Sequence, residues 1–345
     1  MASWDMKRFL AAVIAAGSIL AADVGTASAQ DAGGFFKGKT VRITVGFAPG
    51  GGYDTYARLA ARHWGNQIPG KPEIIVVNMP GASSLKSVQY LDAGAPKDGT
   101  VVTTFNPGLI TQSLTTPETV KVRFTDYTWI GTMSRDVRVC YMWNATTKAR
   151  SLETMRQLDQ VVFGETGTGS SAYIEQRIIG QIFSVKVKQI LGYPGSAEKR
   201  LAIERGELDG DCGAWTSIPP DWLRDGKISV VLRFARDLAP GMDDKAPVAI
   251  DLVSEPKKKN LLNLLGASND FGRPYIAPKE TPADRVAALR QSFAKTIADA
   301  DFVAEAAKQK LTIIAPMIGE EAEKLLADIY ATPADVVAEA KSISD

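Results

Sequence analysis

The feature that most restricts the fold of this chain is a strand, a run of glycines and a helix in direct succession. Residues 41–45 alternate apolar and polar side chains, Gly50, Gly51 and Gly52 follow, and from Tyr53 the apolar residues recur at helical spacing. Two more apolar runs, at 74–77 and 100–105, end in similar turn-forming segments. Strands joined in this way gather their carboxyl ends at one edge of an open sheet, where ligands usually bind. The sequence therefore predicts an α/β fold with a ligand site at that edge.

The same pattern starts again in the second part of the chain. Strands are expected at 137–143, 161–163 and 185–191, whereas the segment from Pro282 onward is helical and has no strands of its own. We expect these last helices to cover the first domain, so that the chain crosses twice between two lobes and forms a hinge. The expected boundaries are 36–107 plus 263–345 for lobe 1 and 108–262 for lobe 2. A length of 345 residues agrees with more than one hydrophobic core.

The first 29 residues have the pattern of an export signal. Lys7 and Arg8 precede an apolar run at 9–22, and Ala27-Ser28-Ala29 matches a cleavage site. We therefore predict a signal peptide at 1–29. Export permits a disulfide between Cys140 and Cys212, which both fall in the second α/β unit; two free, buried cysteines are the alternative.

Composition excludes several classes of protein. The chain has 40 Lys+Arg against 39 Asp+Glu, so it lacks the basic excess of a nucleic-acid binder. One histidine and two cysteines leave little for a metal site, and we expect no metal and no cofactor. His63 falls on a helix about three turns from the glycine run, where packing or surface exposure is favoured over a role as general base. No catalytic residue is predicted.

Two glycine-rich loops are the candidate binding elements. Gly50–Gly52 and the segment Gly167-Thr168-Gly169-Ser170-Ser171 both precede helices, where unobstructed backbone N–H groups and the helix dipole attract anions. The first lacks the Gly-Lys-Ser/Thr of a phosphate-binding loop. The second matches a dinucleotide fingerprint formally, but no acidic residue follows at 188–192. Plain turn glycines and a paired-carboxylate hydrolase remain alternatives.

Five short motifs resemble those of one known family, the Bug-type extracytoplasmic solute receptors of tripartite tricarboxylate transporters. The resemblance extends over essentially the whole mature chain. The motifs are Phe-Ala-Pro-Gly-Gly-Gly-Tyr-Asp at 47–54 with Ala57-Arg58, Asn-Met-Pro-Gly-Ala at 78–82, Ala-Pro-Lys-Asp-Gly-Thr at 95–100, Gly-Glu-Leu-Asp at 206–209, and Ala277-Pro278 with Thr281-Pro282.

The resemblance implies a two-lobed periplasmic binding protein of the Venus-flytrap type (type II-like), with a mostly parallel sheet in each lobe. It implies a monomeric, non-enzymatic receptor in the periplasm that binds a small organic carboxylate through backbone amides and delivers it to a membrane transporter. The implied site comprises a first-lobe loop (Gly50, Gly51, Gly52, Tyr53, Asp54), its second-lobe counterpart (Gly167, Thr168, Gly169, Ser170, Ser171) and walls from Gly81, Ala82, Ser83, Ser84, Asn106, Tyr193, Pro194 and Gly195. A ligand-sensing subunit of a signalling partner, and less so a nucleotide-dependent or hydrolytic enzyme, are the alternatives.

The sequence departs from the family pattern at two places. Tyr53 stands where a small polar residue is usual, and Ser83-Ser84 stands where Gly-Gly is usual. The Tyr53 ring is expected either to stack on a ligand or to fill space that a larger ligand would need. Ligand identity therefore stays open among small mono-, di- and tricarboxylates, including aromatic ones.

Overall fold

The structure is a computed structural model, and it describes residues 34–344. The predicted signal peptide at 1–29 lies outside the described residues. The elements of the first part of the chain are β1 (Thr40–Val45), α1 (Gly52–Gln67), β2 (Glu73–Asn78), α2 (Leu85–Ala93), β3 (Val101–Thr104), α3 (Gly108–Thr115) and β4 (Thr128–Thr132). The middle part contains β5 (Arg138–Trp143), α4 (Leu152–Arg156), β6 (Val161–Glu165), α5 (Ser171–Gln181), β7 (Val187–Leu191), α6 (Ser196–Glu204), β8 (Gly210–Ala214), α7 (Pro220–Arg224), β9 (Ile228–Arg233) and α8 (Pro256–Ala267). The last part contains β10 (Pro274–Ala277), α9 (Ala283–Ile297), α10 (Ala300–Lys308), β11 (Met317–Ile318), α11 (Gly319–Tyr330) and α12 (Ala334–Ser344).

The first sheet has the strand order β11-β4-β10-β3-β1-β2. Strand β1 pairs in parallel with both β2 and β3, so their carboxyl ends lie side by side, as the glycine-loop pattern predicted. Strand β10 is antiparallel to both β3 and β4. The ends of β1 and β3 thus bring the loops at 46–51 and 105–107 together.

The second sheet has the order β7-β6-β8-β5-β9. Strand β6 is parallel to β7 and β8, whereas β5 is antiparallel to β8 and β9. Each lobe is therefore an α/β unit, and the predicted two-lobed α/β architecture is confirmed. The expectation of mostly parallel sheets is wrong, because β5, β9, β10 and β11 pair with neighbouring strands only in antiparallel fashion and make both sheets mixed.

The chain crosses between the sheets twice, once between Thr132 and Arg138 and once between Arg233 and Pro274. The expected boundary assigned all of 108–262 to the second lobe, but β4 lies in the first sheet because Gly131 pairs with Tyr275 of β10. The first crossing therefore falls about two dozen residues later than expected. No strand was predicted at 128–132, because apolar and polar residues do not alternate there. In the structure all but the first of these residues are buried.

The C-terminal helices return to the first lobe as predicted for α9, α10 and α11. Helix α9 packs on α1 and β4, α10 packs on α1, and α11 packs on β4. Helix α12 behaves differently, because it contacts α3, α5 and α8 together and buries Ala340 and Ile343. One continuous apolar core therefore extends from the first lobe into the second on this side of the molecule.

No helix within residues 34–344 combines the length and the apolar character that crossing a bilayer requires.

Candidate functional site

A cavity of about 80 Å³ lies between the two lobes, and both of them supply its wall. The first lobe contributes Phe47, Gly51, Gly52, Tyr53 and Asn106, and the second contributes Arg138, Tyr141, Glu165, Thr166, Ser170, Ala172, Ser196, Lys199, Arg200 and the segment 211–214 with Ser217 and Ile218. Asp136 and Arg273, one in each chain crossing, complete it. Drug-sized ligands occupy pockets of roughly 300 Å³ or more, so this cavity suits a much smaller molecule.

Two helices, one from each lobe, begin at this cavity. Gly51 is the N-cap of α1 and Gly195 is the N-cap of α6, and neither provides a side chain that caps its helix. A Cβ atom on Gly51 would lie 2.9 Å from Ser196 Oγ, so the two helix starts approach each other closely at this glycine. The first N–H groups of an α-helix lack partners within the helix, and the dipole makes that end positive. The meeting point of α1 and α6 therefore favours an anion.

Asp54 holds the first-lobe glycine loop in shape. Its Oδ2 atom accepts hydrogen bonds from the Gly50 backbone N–H and from Arg58 Nε, both at 2.9 Å, and its Oδ1 accepts one from Asn78 Nδ2 at 2.9 Å. Burial raises the pKa of Asp54, but the bonds from Arg58, Gly50 and Asn78 together outweigh it and hold the pKa below its ordinary value. Asp54 lies outside the cavity lining and acts by positioning the loop.

We expected the loop at 167–171 to face Gly50–Gly52, but it does not. Its polar groups are already engaged: Ser170 Oγ accepts the Tyr173 N–H at 2.9 Å, and the Ser171 N–H and Oγ donate to Asn106 Oδ1 at 3.1 and 3.0 Å. A Cβ on Gly108 would lie 2.5 Å from the Ser171 nitrogen, which shows how closely the lobes pack here. This loop therefore joins the lobes, and the segment that faces Gly50–Gly52 is instead the turn before α6, which we had assigned to the wall.

The predicted site residues fall into two groups. Five of them line the cavity: Gly51, Gly52, Tyr53, Asn106 and Ser170. The others lie outside its lining: Gly50, Asp54, Gly81, Ala82, Ser83, Ser84, Gly167, Thr168, Gly169, Ser171, Tyr193, Pro194 and Gly195. Several members of the second group still shape the site, because they form the loops or the contacts between the lobes.

The two serines that depart from the family pattern have left-handed backbone conformations. Ser83 has φ 52° and Ser84 has φ 77°, and a non-glycine residue in this region costs about 1 kcal/mol or more. Their hydroxyls make contacts that glycine could not make. Ser83 Oγ lies 3.0 Å from Thr166 Oγ1 of the second lobe, and Ser84 Oγ accepts the Asn106 backbone N–H at 2.8 Å. Both hydrogen bonds offset the strain, and the one made by Ser83 adds to the contact between the lobes.

Tyr53 stacks on protein groups within the cavity wall. Its ring lies 4.8 Å from that of Phe47, nearly parallel to it, and the Arg273 guanidinium carbon lies 4.7 Å from the Tyr53 ring centroid. The Tyr53 hydroxyl oxygen is buried and has no hydrogen-bond partner among the described residues. Burial raises the pKa of Tyr53 far above its ordinary value, so the hydroxyl stays protonated. It is a free donor in the wall of the cavity.

Two buried ion pairs that sequence reasoning missed lie beside the hinge. Arg273 Nη1 donates to Asp136 Oδ1 and Oδ2 at 2.7 and 2.8 Å. Arg138 forms a bidentate pair with Glu175, with distances of 2.5 Å from Nε and 2.8 Å from Nη2. Burial lowers the pKa of each arginine, but the neighbouring carboxylates outweigh it, so both guanidinium groups stay charged.

A third buried group was also missed, and it consists of one lysine with two carboxylates. Lys199 Nζ lies 2.6 Å from Asp211 Oδ1 and 3.7 Å from Glu165 Oε1. Burial raises the pKa of Glu165 to about 7 and raises that of Asp211 as well, and in both cases Lys199 opposes the effect. Burial lowers the pKa of Lys199, but Asp211 and Glu165 outweigh it. The ammonium group is therefore charged in the cavity wall.

Of the two alternatives left open for Cys140 and Cys212, the structure has the disulfide. The two residues lie directly opposite each other on β5 and β8, and Cys212 lines the cavity. The bond thus joins neighbouring strands in the floor of the site.

Within residues 34–344, the one cluster of metal-ligand residue types is Cys140, Glu175 and Cys212. It does not fit a metal, because both sulfur atoms are in the disulfide and Glu175 is paired with Arg138. His63 lies outside the cavity lining, with its Nε2 atom 2.6 Å from Glu305 Oε2.

Two lobes joined by two crossings around a central cavity are the architecture of a periplasmic binding protein. The sequence matches no protein-family model and no curated protein. Among solved structures, the periplasmic binding protein BugD superposes with a TM-score of 0.69 at 18% identity, over 88% of this chain and 97% of that one. MatC from Rhodopseudomonas palustris with bound malate gives 0.70 at 19% identity, over 87% and 99%. Rpa4515 from R. palustris with adipate gives 0.70 at 17% identity, over 88% and 97%. The resemblance noted in the sequence is thus confirmed at the level of the fold.

Proposed function

We propose that this protein is a periplasmic receptor that captures a small organic carboxylate between its lobes. The observation that carries the proposal is the meeting of the α1 and α6 starts, from opposite lobes, at a cavity that also holds Arg138, Lys199 and Arg273. Helix starts favour a bound anion over water, whereas the three cations are themselves paired with buried carboxylates.

The residues proposed to touch the ligand are those of the cavity wall. Gly51, Gly52 and Ser196 offer backbone N–H groups at the helix starts, and Tyr53 offers its free hydroxyl. Asn106 and Ser170 also belong to this wall. The remaining residues of the two loops would hold the lobes in their relative position. The fold shared with MatC, solved with malate, and Rpa4515, solved with adipate, supports a small acid as the ligand class.

The other parts of the proposal are properties expected of a receptor of this class. The protein would be exported, act as a monomer without a catalytic step, and hand its ligand to a membrane transporter of the tripartite tricarboxylate type. The carboxylates of Asp136, Glu175 and Asp211 are paired with Arg273, Arg138 and Lys199, which supports a binding role rather than acid–base catalysis for these three groups.

The test is a thermal-shift screen of the chain from Gln30 onward against malate, succinate, adipate, citrate and benzoate. A true ligand at 100 times its Kd should stabilise the folded state by about 2.7 kcal/mol. We expect a selective, saturable rise in Tm for one acid or a few related ones, and recovery of the acid unchanged after long incubation. A flat response to the whole panel, or conversion of the acid, would contradict the proposal.

A further inference from the structure

The buried charges around the cavity do not balance. Seven ionisable side chains are buried in its wall or directly behind it: the acids Asp136, Glu165, Glu175 and Asp211 and the bases Arg138, Lys199 and Arg273. Four carboxylates thus face three cations. A buried charge without a partner is costly, so the fourth carboxylate is stabilised either by a proton or by a further positive group.

Distances identify where the surplus lies. Arg273 is matched to Asp136 at 2.7 Å, and Arg138 is matched to Glu175 at 2.5 Å. Lys199 is shared, because it bonds to Asp211 at 2.6 Å and only approaches Glu165, at 3.7 Å. Glu165 is therefore the carboxylate without a cation of its own.

The hydrogen bonds around Glu165 favour its ionised form. Ser170 Oγ donates to Oε2 at 2.5 Å, and Gln176 Nε2 donates to Oε1. The Gln176 amide nitrogen can only donate, and its orientation is fixed because Gln176 Oε1 accepts from Gln189 at 3.0 Å. Donors aimed at both oxygens stabilise a carboxylate over a carboxylic acid.

The remaining cation of the cavity wall does not compensate Glu165. Arg200 donates to the carbonyl oxygens of Gly50 at 3.0 Å and Ser217 at 3.3 Å, at the mouth of the cavity. The negative charge of Glu165 is thus available to interact with a ligand in the cavity.

We infer that the ligand of this site is a zwitterion, with a carboxylate directed to the helix starts and a positively charged nitrogen beside Glu165. The inference rests on the proposed function and narrows it from small organic acids to amino acids and related ammonium carboxylates. The unpartnered Tyr53 hydroxyl, which lies in the cavity wall next to Arg273, provides a donor for the carboxylate end.

A proton competes with such a nitrogen for Glu165. Burial raises the pKa of Glu165 to about 7, and the charged groups that act on it are Lys199, Asp211 and Arg138. Below that pH the carboxyl group becomes neutral, and the advantage of a cationic ligand should disappear. The test must therefore be made above pH 7.

The experiment is isothermal titration of the chain from Gln30 onward at pH 8 with matched ligands: aspartate against malate and succinate, and 4-aminobutyrate against butyrate. We expect the amino member of at least one set to bind about tenfold more tightly than its partners. Glu165→Gln should reduce this ratio to less than about threefold. Glu153→Gln, which neutralises an exposed acid in the first turn of α4 outside the cavity lining, should preserve the ratio.

The outcomes separate the two proposals. If malate or succinate binds as tightly as aspartate and butyrate as tightly as 4-aminobutyrate, the zwitterion inference is wrong and the carboxylate receptor stands. An amine preference that survives Glu165→Gln would overturn the assignment to Glu165. If no member of either series and no acid of the thermal-shift panel binds, the proposed function itself fails.

Discussion

The backbone N–H of Ala48, in the first lobe, donates a hydrogen bond to the carbonyl oxygen of Pro194, in the second, at 3.1 Å. The Arg200 side chain makes a second bond at the same mouth, to the carbonyl oxygen of Gly50. Elsewhere the lobes are joined by side-chain bonds of Ser83 and Asn106 and by a continuous apolar core. Ligand exchange is therefore expected to open the molecule at the Ala48–Pro194 side.

Gly51→Val should abolish ligand binding without unfolding the protein. Gly51 has φ −84°, which valine tolerates, but its side chain would meet Ser196 and keep the two helix starts apart. Titration with the best ligand of the thermal-shift screen measures the loss, and circular dichroism checks the fold.

The matched control for this change is Gly266→Val, at a position in α8 where an added Cβ meets no atom within 4 Å. We expect this variant to bind as the wild type does. Wild-type affinity in Gly51→Val would remove the α1–α6 meeting point from the binding site.

Asp136→Asn should destabilise the protein strongly. The change leaves Arg273 charged and buried without a carboxylate partner, and breaking a buried pair in this way costs about 3 to 5 kcal/mol. Urea denaturation gives the free energy of unfolding. Asp225→Asn, in the exposed pair with Arg224, is the control and should have no measurable effect. Equal, small effects of the two changes would contradict this account of the hinge.

Glu165→Gln should change how stability depends on pH. The folded-state pKa of Glu165 is about 7 against an ordinary 4.5, so between these values the folded protein binds more protons than the unfolded chain. The free energy of unfolding should then fall as pH rises from about 4.5 to 7, by at most about 1.4 kcal/mol per pH unit. The glutamine variant lacks this contribution and should gain stability relative to the wild type between pH 5 and pH 8. Urea denaturation at both pH values tests it; a constant difference between the two proteins would refute it.

Replacing both Cys140 and Cys212 by alanine should lower the free energy of unfolding by about 4 kcal/mol in the chain-entropy model, because the disulfide spans 72 residues. Chemical denaturation with and without a reductant measures the effect. Reductant should bring the wild type close to the variant and leave the variant unchanged. A variant as stable as the oxidised protein would show that the bond contributes little.

The sequence predicted those parts of the fold that local patterns encode. The alternation at 41–45, the glycines before α1 and the Ala-rich helices from Pro282 onward each appear in the structure at nearly the expected positions. Strand β10 and most of β4 are buried, and β10 is only four residues long, so neither has the polar alternation that reveals a strand.

The charged part of the site could not be predicted in the same way. Asp136 and Arg273 are partners across 137 residues, and Arg138 and Glu175 across 37 residues, so no local spacing connects them. Local spacing likewise does not show which two glycine loops meet across the cavity. The N-cap residues differ, because Ser170 caps α5 with its own hydroxyl whereas Gly195 leaves the start of α6 uncapped, but the packing of Asn106 against Ser171 depends on a contact 65 residues away along the chain.

Helix α12 completes a core to which both lobes contribute, and it consists of residues 334–344. During synthesis, which proceeds from the N-terminus, the two lobes therefore cannot reach their final packing as independent units while this segment is still missing. A chain truncated before Ala340 would expose apolar surface of α3, α5 and α8 together. Cellular quality control would recognise such a chain as incompletely folded.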